Sequence, residues 1–279
     1  MEGRASKLVV RLGAAFTLVF LYLPLAVIFI YAFNESVAQA WPPTGFTTRW
    51  FEVAWNAPDV KESLLNSVII GLVAAAIAVV LGCLAAFAVH RFRFFGRETI
   101  SFALVLPIAL PGIITGMALR SAYNTTGINL SLFTIMIGHA TFCVVVVFNN
   151  VVARLRRTSG SIVEASMDLG ADGWQTFRHV TLPTIATALV AGGLLAFALS
   201  FDEIIVTNFV SGAELSLPKW IYNTIRLPKN RPAANAVAVI VIILSMIPVY
   251  FAQRLDGAGD TAAAPTRAMA PGGGATTGR

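Results

Sequence analysis

Apolar and polar positions alternate in long blocks along this chain. An uncharged run from Leu12 to Phe33 follows Arg4, Lys7 and Arg11, and it is long enough to cross a bilayer core of about 30 Å. Similar runs recur at 64–89, 100–119, 130–152 and 233–252. Another begins at Ile185, stops at Asp202-Glu203 and resumes through Val210. The pattern therefore predicts six helical spans, at about 12–33, 64–89, 100–119, 130–152, 185–210 and 233–252. Between the first two lies a mixed stretch, Asn34 to Glu62, with Trp41, Phe46, Trp50, Phe51 and Trp55, suited to an interfacial loop or a short amphipathic helix. Pro107 and Pro111 interrupt the third run and predict a bend or unwinding there, with Gly112 and Gly116 forming a small-residue face for a neighbouring helix. A kinked packing helix and a pathway-lining one both fit. Residues 257–279 are mostly Gly, Ala, Pro and Thr and read as a disordered tail.

Composition supports a lipid setting. Hydrophobic residues make up 57% of the chain and charged ones 12%, too little polar surface to cover a water-soluble globule of 279 residues. The net charge of +6 does not point to nucleic acid, because the cations flank the apolar runs and form no basic stripe with interleaved aromatics. Most of the twenty Lys and Arg fall on the side reached by 1–11, 90–99, 153–184 and the C-terminus, which predicts that both termini and the 153–184 loop are cytoplasmic. Ala38-Gln39-Ala40 imitates a signal-peptidase site, but the preceding apolar run exceeds the length of a signal h-region, so an uncleaved anchor is expected. Cys83 and Cys143 sit inside apolar runs and read as small hydrophobes, with no disulfide and no metal site expected. His139 lies within the fourth run, where a hydrogen-bonded packing role competes with a ligand or proton role. There is no phosphate-binding loop, nucleophile elbow or metal-spaced cluster, so neither ATP hydrolysis nor other covalent chemistry is expected of this chain.

The stretch from Glu164 to Pro183, EASMDLGADGWQTFRHVTLP, is a polar segment set between two long apolar spans. Ser161 with Glu164, and Asp172 with Gln175, have capping-box spacing and predict two short helices, with Gly170 at a left-handed turn between them. On the first helix Ile162, Ala165, Ser166 and Leu169 share a small-residue face, and Glu164 and Asp168 form an i, i+4 pair on another. An ordinary amphipathic loop helix would have the same face.

Glu164-Ala165-Ser166, Gly170 and Val180-Thr181-Leu182-Pro183 resemble the signature loop of permease subunits of ABC importers, with Ser166 for the family's Ala and Val180 for its Ile. LPIALPGIITG from Leu106, GHATFCVVVVFNN from Gly138 and LAFALSFDEIIVTNFVSG from Leu195 resemble, more narrowly, the second permease subunit of spermidine/putrescine importers. The resemblance implies an all-α polytopic membrane protein of the type I ABC importer permease kind, with six transmembrane helices and a cytoplasmic coupling helix between spans 4 and 5. It also implies an inner or plasma membrane location, two copies of a cytoplasmic ATPase that use ATP and magnesium, a first-type permease partner, and an extracytoplasmic binding protein. No cofactor is expected on this chain. Glu164, Ala165, Ser166, Asp168, Gly170, Leu182 and Pro183 would couple to the ATPase. Ser200, Asp202, Glu203, Pro107, Pro111 and Gly112 would line the substrate path. Adjacent carboxylates near lipid want a cation, which suits an alkyl diammonium substrate, though a helix-end pair meeting an Arg of the partner permease is also consistent. Related permeases for ferric iron, sulfate, thiamine or phosphonates share the loop, and a secondary transporter is the more distant alternative.

Overall fold

The computed structural model describes residues 4–92 and 94–261. Helix α1 (Arg4–Ala32) is exposed over most of its apolar length, and α2 (Arg49–Asn56) is a short amphipathic helix that buries Trp50 and Ala54. Trp50 donates its indole N–H to Asn34 O at 2.8 Å, fixing the aromatic stretch to the end of α1. Helix α3 (Pro58–Arg91) starts on a proline, whose missing N–H costs nothing in a first turn, and ends in His90 and Arg91 beside the carbonyl end of its dipole. Helices α4 (Arg97–Ala109) and α5 (Gly112–Thr126) follow, then α6 (Leu132–Arg157).

Four helices among the described residues are long and apolar enough to cross a membrane, Lys7–Ala32, Pro58–Arg91, Leu132–Arg157 and Gly173–Phe201, and two bent pairs raise the number to six. The third predicted span is one of those pairs, with α4 and α5 meeting at 105°. Pro107 stays inside α4, and the break falls at Leu110-Pro111. Leu110 is extended, as the residue before a proline prefers, and Pro111 has no N–H to continue the ladder.

The core is built where α3, α6 and α9 (Leu182–Phe201) pack together. Small residues on α3, Ala74, Ala75, Ala78, Gly82 and Ala86, repeat at helical spacing and are buried. A Cβ on Gly82 would sit 2.9 Å from the Val144 carbonyl oxygen, so the backbones of α3 and α6 approach as closely as that glycine allows. Gly192 does the same for α9, 3.2 Å from Val147 Cα. Without a hydrophobic drive between helices in lipid, such close packing is the main source of association. A smaller cluster joins Ala54, Val60, Leu217 and Val237.

Between α6 and α9 lie α7 (Gly160–Asp168) and α8 (Gly173–Thr176). Helix α8 does not stand apart from the fifth span as the sequence suggested. A π turn over Phe177–Thr181 joins it to α9, with Leu182 N–H donating to Phe177 O. Pro183 cannot donate to an i−4 carbonyl, and the wider turn absorbs that loss. The fifth apolar run also ends sooner than a helix through Val210 would require. It stops at Phe201, and α10 (Ile205–Val210) is a separate helix beyond a three-residue break. Helix α11 (Leu217–Ile225) is stitched to α3, where Asn66 Nδ2 donates to Leu215 O at 3.1 Å and Ser67 Oγ accepts from Leu217 N–H at 2.8 Å. Helix α12 (Arg231–Thr261) continues past the predicted end of the sixth span, through part of the expected disordered tail, and residues 262–279 of that tail lie outside the described residues.

Candidate functional site

The α7–α8 loop is organised by local bonds. Asp172 Oδ1 accepts from Gln175 N–H at 2.8 Å while Gln175 Oε1 accepts from Asp172 N–H at 3.0 Å, so the predicted capping box is complete. The other predicted box is not made. Ser159, not Ser161, caps α7, accepting from Ser161 N–H at 3.3 Å, which leaves Glu164 pointing to solvent within the helix. Gly170 has φ +88° with open space around its α-carbon, so backbone conformation alone selects glycine there. Ser166 Oγ lies 3.1 Å from Thr176 Oγ1, a bond between α7 and α8 that alanine could not make.

The predicted small-residue face forms one wall of an open groove of about 570 Å³, lined by Ser161, Ile162, Ala165, Ser166, Leu169 and Val180. Leu169 is 89% exposed and Trp174 66%, so this polar block offers apolar side chains outward. Glu164 and Asp168 are exposed, and Leu182 and Pro183 open α9. Of the coupling residues named from the sequence, Glu164, Ala165, Ser166 and Asp168 lie on α7, Gly170 in the turn after it, and Leu182 and Pro183 at the start of α9.

The second polar region is the break between α9 and α10. Asp202 is exposed there. Glu203 is partly buried, and its Oε1 accepts from Ile205 N–H at 2.7 Å and Val206 N–H at 2.9 Å, so one of its oxygens caps α10. Ser200 is buried and turned toward α6. Gly112 is brought to the same place, since a Cβ on it would lie 3.4 Å from Ile205 Cγ2. Gly116 faces Phe209 more tightly still, at 2.6 Å. Pro111, the residue before Gly112, marks the α4–α5 break, whereas Pro107 is set back within α4. Two interrupted helices thus meet through Gly112 and Ile205, just beyond the acidic pair.

A family model described as binding-protein-dependent transport system inner membrane component matches residues 78–257. The chain belongs to this family. Among the relatives of this transport component, the spermidine/putrescine transport system permease protein PotC of Haemophilus influenzae is 32% identical over 236 residues, 84% of this chain and 91% of that protein. The putrescine transport system permease protein PotI of Escherichia coli is 34% identical over 250 residues, 85% and 88% of the two chains. A solved bacterial ABC transporter involved in import of the acidic polysaccharide alginate shares the fold at TM-score 0.70 and 18% identity, over 91% of this chain and 98% of that one. An amino acid ABC transporter matches at TM-score 0.56 and 15% identity, over 75% and 100%. The permease is an all-α, multi-pass membrane protein with the type I ABC importer permease fold.

Several residues of this inner membrane component escaped the sequence pattern. Thr207 in α10 is fully buried and lies 2.9 Å from His139 Nε2. Arg120 of α5 donates to Phe209 O at 3.4 Å, and Thr134 of α6 donates to Val210 O at 2.7 Å, so both helices engage the carbonyl end of α10. None of these pairings spans fewer than 68 residues, and only His139, a polar ring in an apolar run, announced itself.

Proposed function

We propose that this permease forms half of the translocation pathway of an ATP-driven importer for polyamines such as putrescine and spermidine. The observation that carries the proposal is the acidic break, where Asp202 is exposed and Glu203 keeps one carboxylate oxygen beyond its capping bonds, with Ile205, two residues on, against Gly112 of the second broken helix. Broken helices at membrane depth persist where they are buried in protein or face a cavity, and carboxylates there suit a cation. The names of the PotC and PotI relatives support the same substrate class. A first-type permease supplies the other half of the pathway, and an extracytoplasmic binding protein delivers the substrate. ATP and magnesium are bound by two copies of a cytoplasmic ATPase, which dock on the groove and exposed side chains of the α7–α8 loop. Both termini and that loop face the cytoplasm.

The test is uptake of labelled putrescine and spermidine into vesicles holding the assembled transporter, with and without ATP, competed by ferric iron, sulfate, thiamine and phosphonate. ATP-dependent uptake competed by polyamines alone is expected; competition by one of the others reassigns the substrate. Asp202→Asn with Glu203→Gln, normalised to assembled complex, should lower uptake by several-fold, about the worth of one ion pair. Glutamine keeps the oxygen that caps α10, so the change reads charge and not helix breakage. Cysteines at positions 172, 55 and 214 test orientation, the first labelled from the cytoplasmic side and the others from outside.

A further inference from the structure

His139 is 1% exposed and uses both ring nitrogens. Nδ1 lies 2.8 Å from Ser200 Oγ on the last turn of α9, and Nε2 lies 2.9 Å from Thr207 Oγ1 in α10. The ring on α6 thus reaches across the break that carries Asp202 and Glu203. Thr207 Oγ1 in turn donates to Glu203 O at 2.7 Å.

Proton accounting decides the ring's form. Thr207 has one hydroxyl proton, and at 2.7 Å from the Glu203 carbonyl that proton belongs in the O···O contact, which is otherwise repulsive. Thr207 Oγ1 must then accept from His139 Nε2–H. With Nε2 donating, Nδ1 of the neutral ring accepts the Ser200 hydroxyl proton. All three contacts are hydrogen bonds when the imidazole is neutral and carries its hydrogen on Nε2, with Nδ1 accepting from Ser200. The opposite tautomer makes two bonds instead of three, and an imidazolium makes three only by holding a charge at a site 1% exposed to water.

We propose that His139 is a positioning residue, a neutral two-sided bridge that sets the offset between α9 and α10 and thereby holds the Asp202 and Glu203 carboxylates in place. A six-residue helix cannot persist by itself, so α10 takes its position from what it is tied to. Arg120 and Thr134 hold its far end, while His139 bonds both sides of the break. The bridge reaches the acids by a short route: Thr207 grips the carbonyl of Glu203, whose own carboxylate caps the same helix. The bearing on substrate rests on the proposed role of Asp202 and Glu203 as the receiving acids.

The experiment uses the full chain in its assembled transporter, and Thr207→Val as the gentle variant, since it keeps size while removing both bonds. One arm reads geometry without substrate. An ideal Cβ at Gly112 lies 3.5 Å from Ile205 Cβ, within disulfide range, so Gly112→Cys with Ile205→Cys should crosslink under mild oxidant. Adding Thr207→Val should slow that crosslinking by about three- to ten-fold, and Thr207→Ser should restore it. The other arm reads putrescine uptake in the transporter without added cysteines. Thr207→Val should raise the half-saturating concentration by a similar factor with a smaller change in maximal rate, again with rescue by serine. Unchanged crosslinking in assembled Thr207→Val overturns the bridge. Slowed crosslinking with an unchanged half-saturating concentration overturns the positioning role. Should Asp202→Asn with Glu203→Gln prove silent in normalised uptake, the receiving role of the acids fails, and the crosslinking arm still decides whether the bridge sets the break.

Discussion

In the α7–α8 loop, Asp172 and Gln175 satisfy each other's backbone three residues apart, and Gly170 turns in open space. In the α9–α10 break, Ser200 and Thr207 reach a histidine more than sixty residues away, and the carbonyls of Phe209 and Val210 are met from α5 and α6. The first region is exposed and assembled from its own sequence; the second has its bridging side chains buried and is assembled by its neighbours. The contrast matches the work proposed for each. A docking element must present a fixed shape to a separate subunit, whereas a carboxylate pair in a pathway must be placed relative to the rest of the bundle.

Breaking the buried region should cost most. His139→Leu removes two interhelical side-chain bonds and leaves Ser200 without a partner, an expected loss of about 1–3 kcal/mol at the 0.6–1.7 kcal/mol of such bonds in membranes. Thermal unfolding of the purified complex checks it. Gly170→Val comes next, at about 1–2 kcal/mol for forcing a β-branched residue to φ +88°. The strain is local, so insertion should survive while ATPase co-purification and transport-linked ATP turnover fall; normal values for both would disconnect the loop from coupling. Asp172→Ala removes a reciprocal cap and should cost about 1 kcal/mol, read as loss of protection of Gln175 N–H in hydrogen exchange. Ser166→Ala should be the mildest, at about 0.5–1 kcal/mol, because the lost bond to Thr176 is only partly buried. A double-mutant cycle sharpens the comparison: His139→Leu with Thr207→Val should be strongly non-additive, and His139→Leu with Asp172→Ala should add.

Features governed by neighbours in sequence were legible before any fold. Apolar periodicity marked the spans, Asp172-x-x-Gln175 its capping box, and Gly170 its left-handed turn, because each depends on residues within one helical turn. The competing N-cap at Ser159 won over Ser161 by two residues, a margin that propensity cannot resolve since both are serines. The stop at Phe201 stayed open for a different reason: apolar character resumes after Asp202-Glu203 through Val210, and nothing in the run itself says that Glu203 will turn back to cap Ile205 and Val206.

By itself, then, the sequence determined a multi-pass helical protein, the side-chain chemistry of its polar loop, and the acids at Asp202 and Glu203, since burial in lipid and local hydrogen bonding follow from composition and short-range spacing. Only the tertiary structure decided where α9 breaks, that Gly112 meets Ile205, and that His139 bridges Ser200 and Thr207. Those outcomes depend on how closely α3, α5, α6, α9 and α10 approach one another, and an interhelical approach is a property of surfaces in contact that no single run of residues contains.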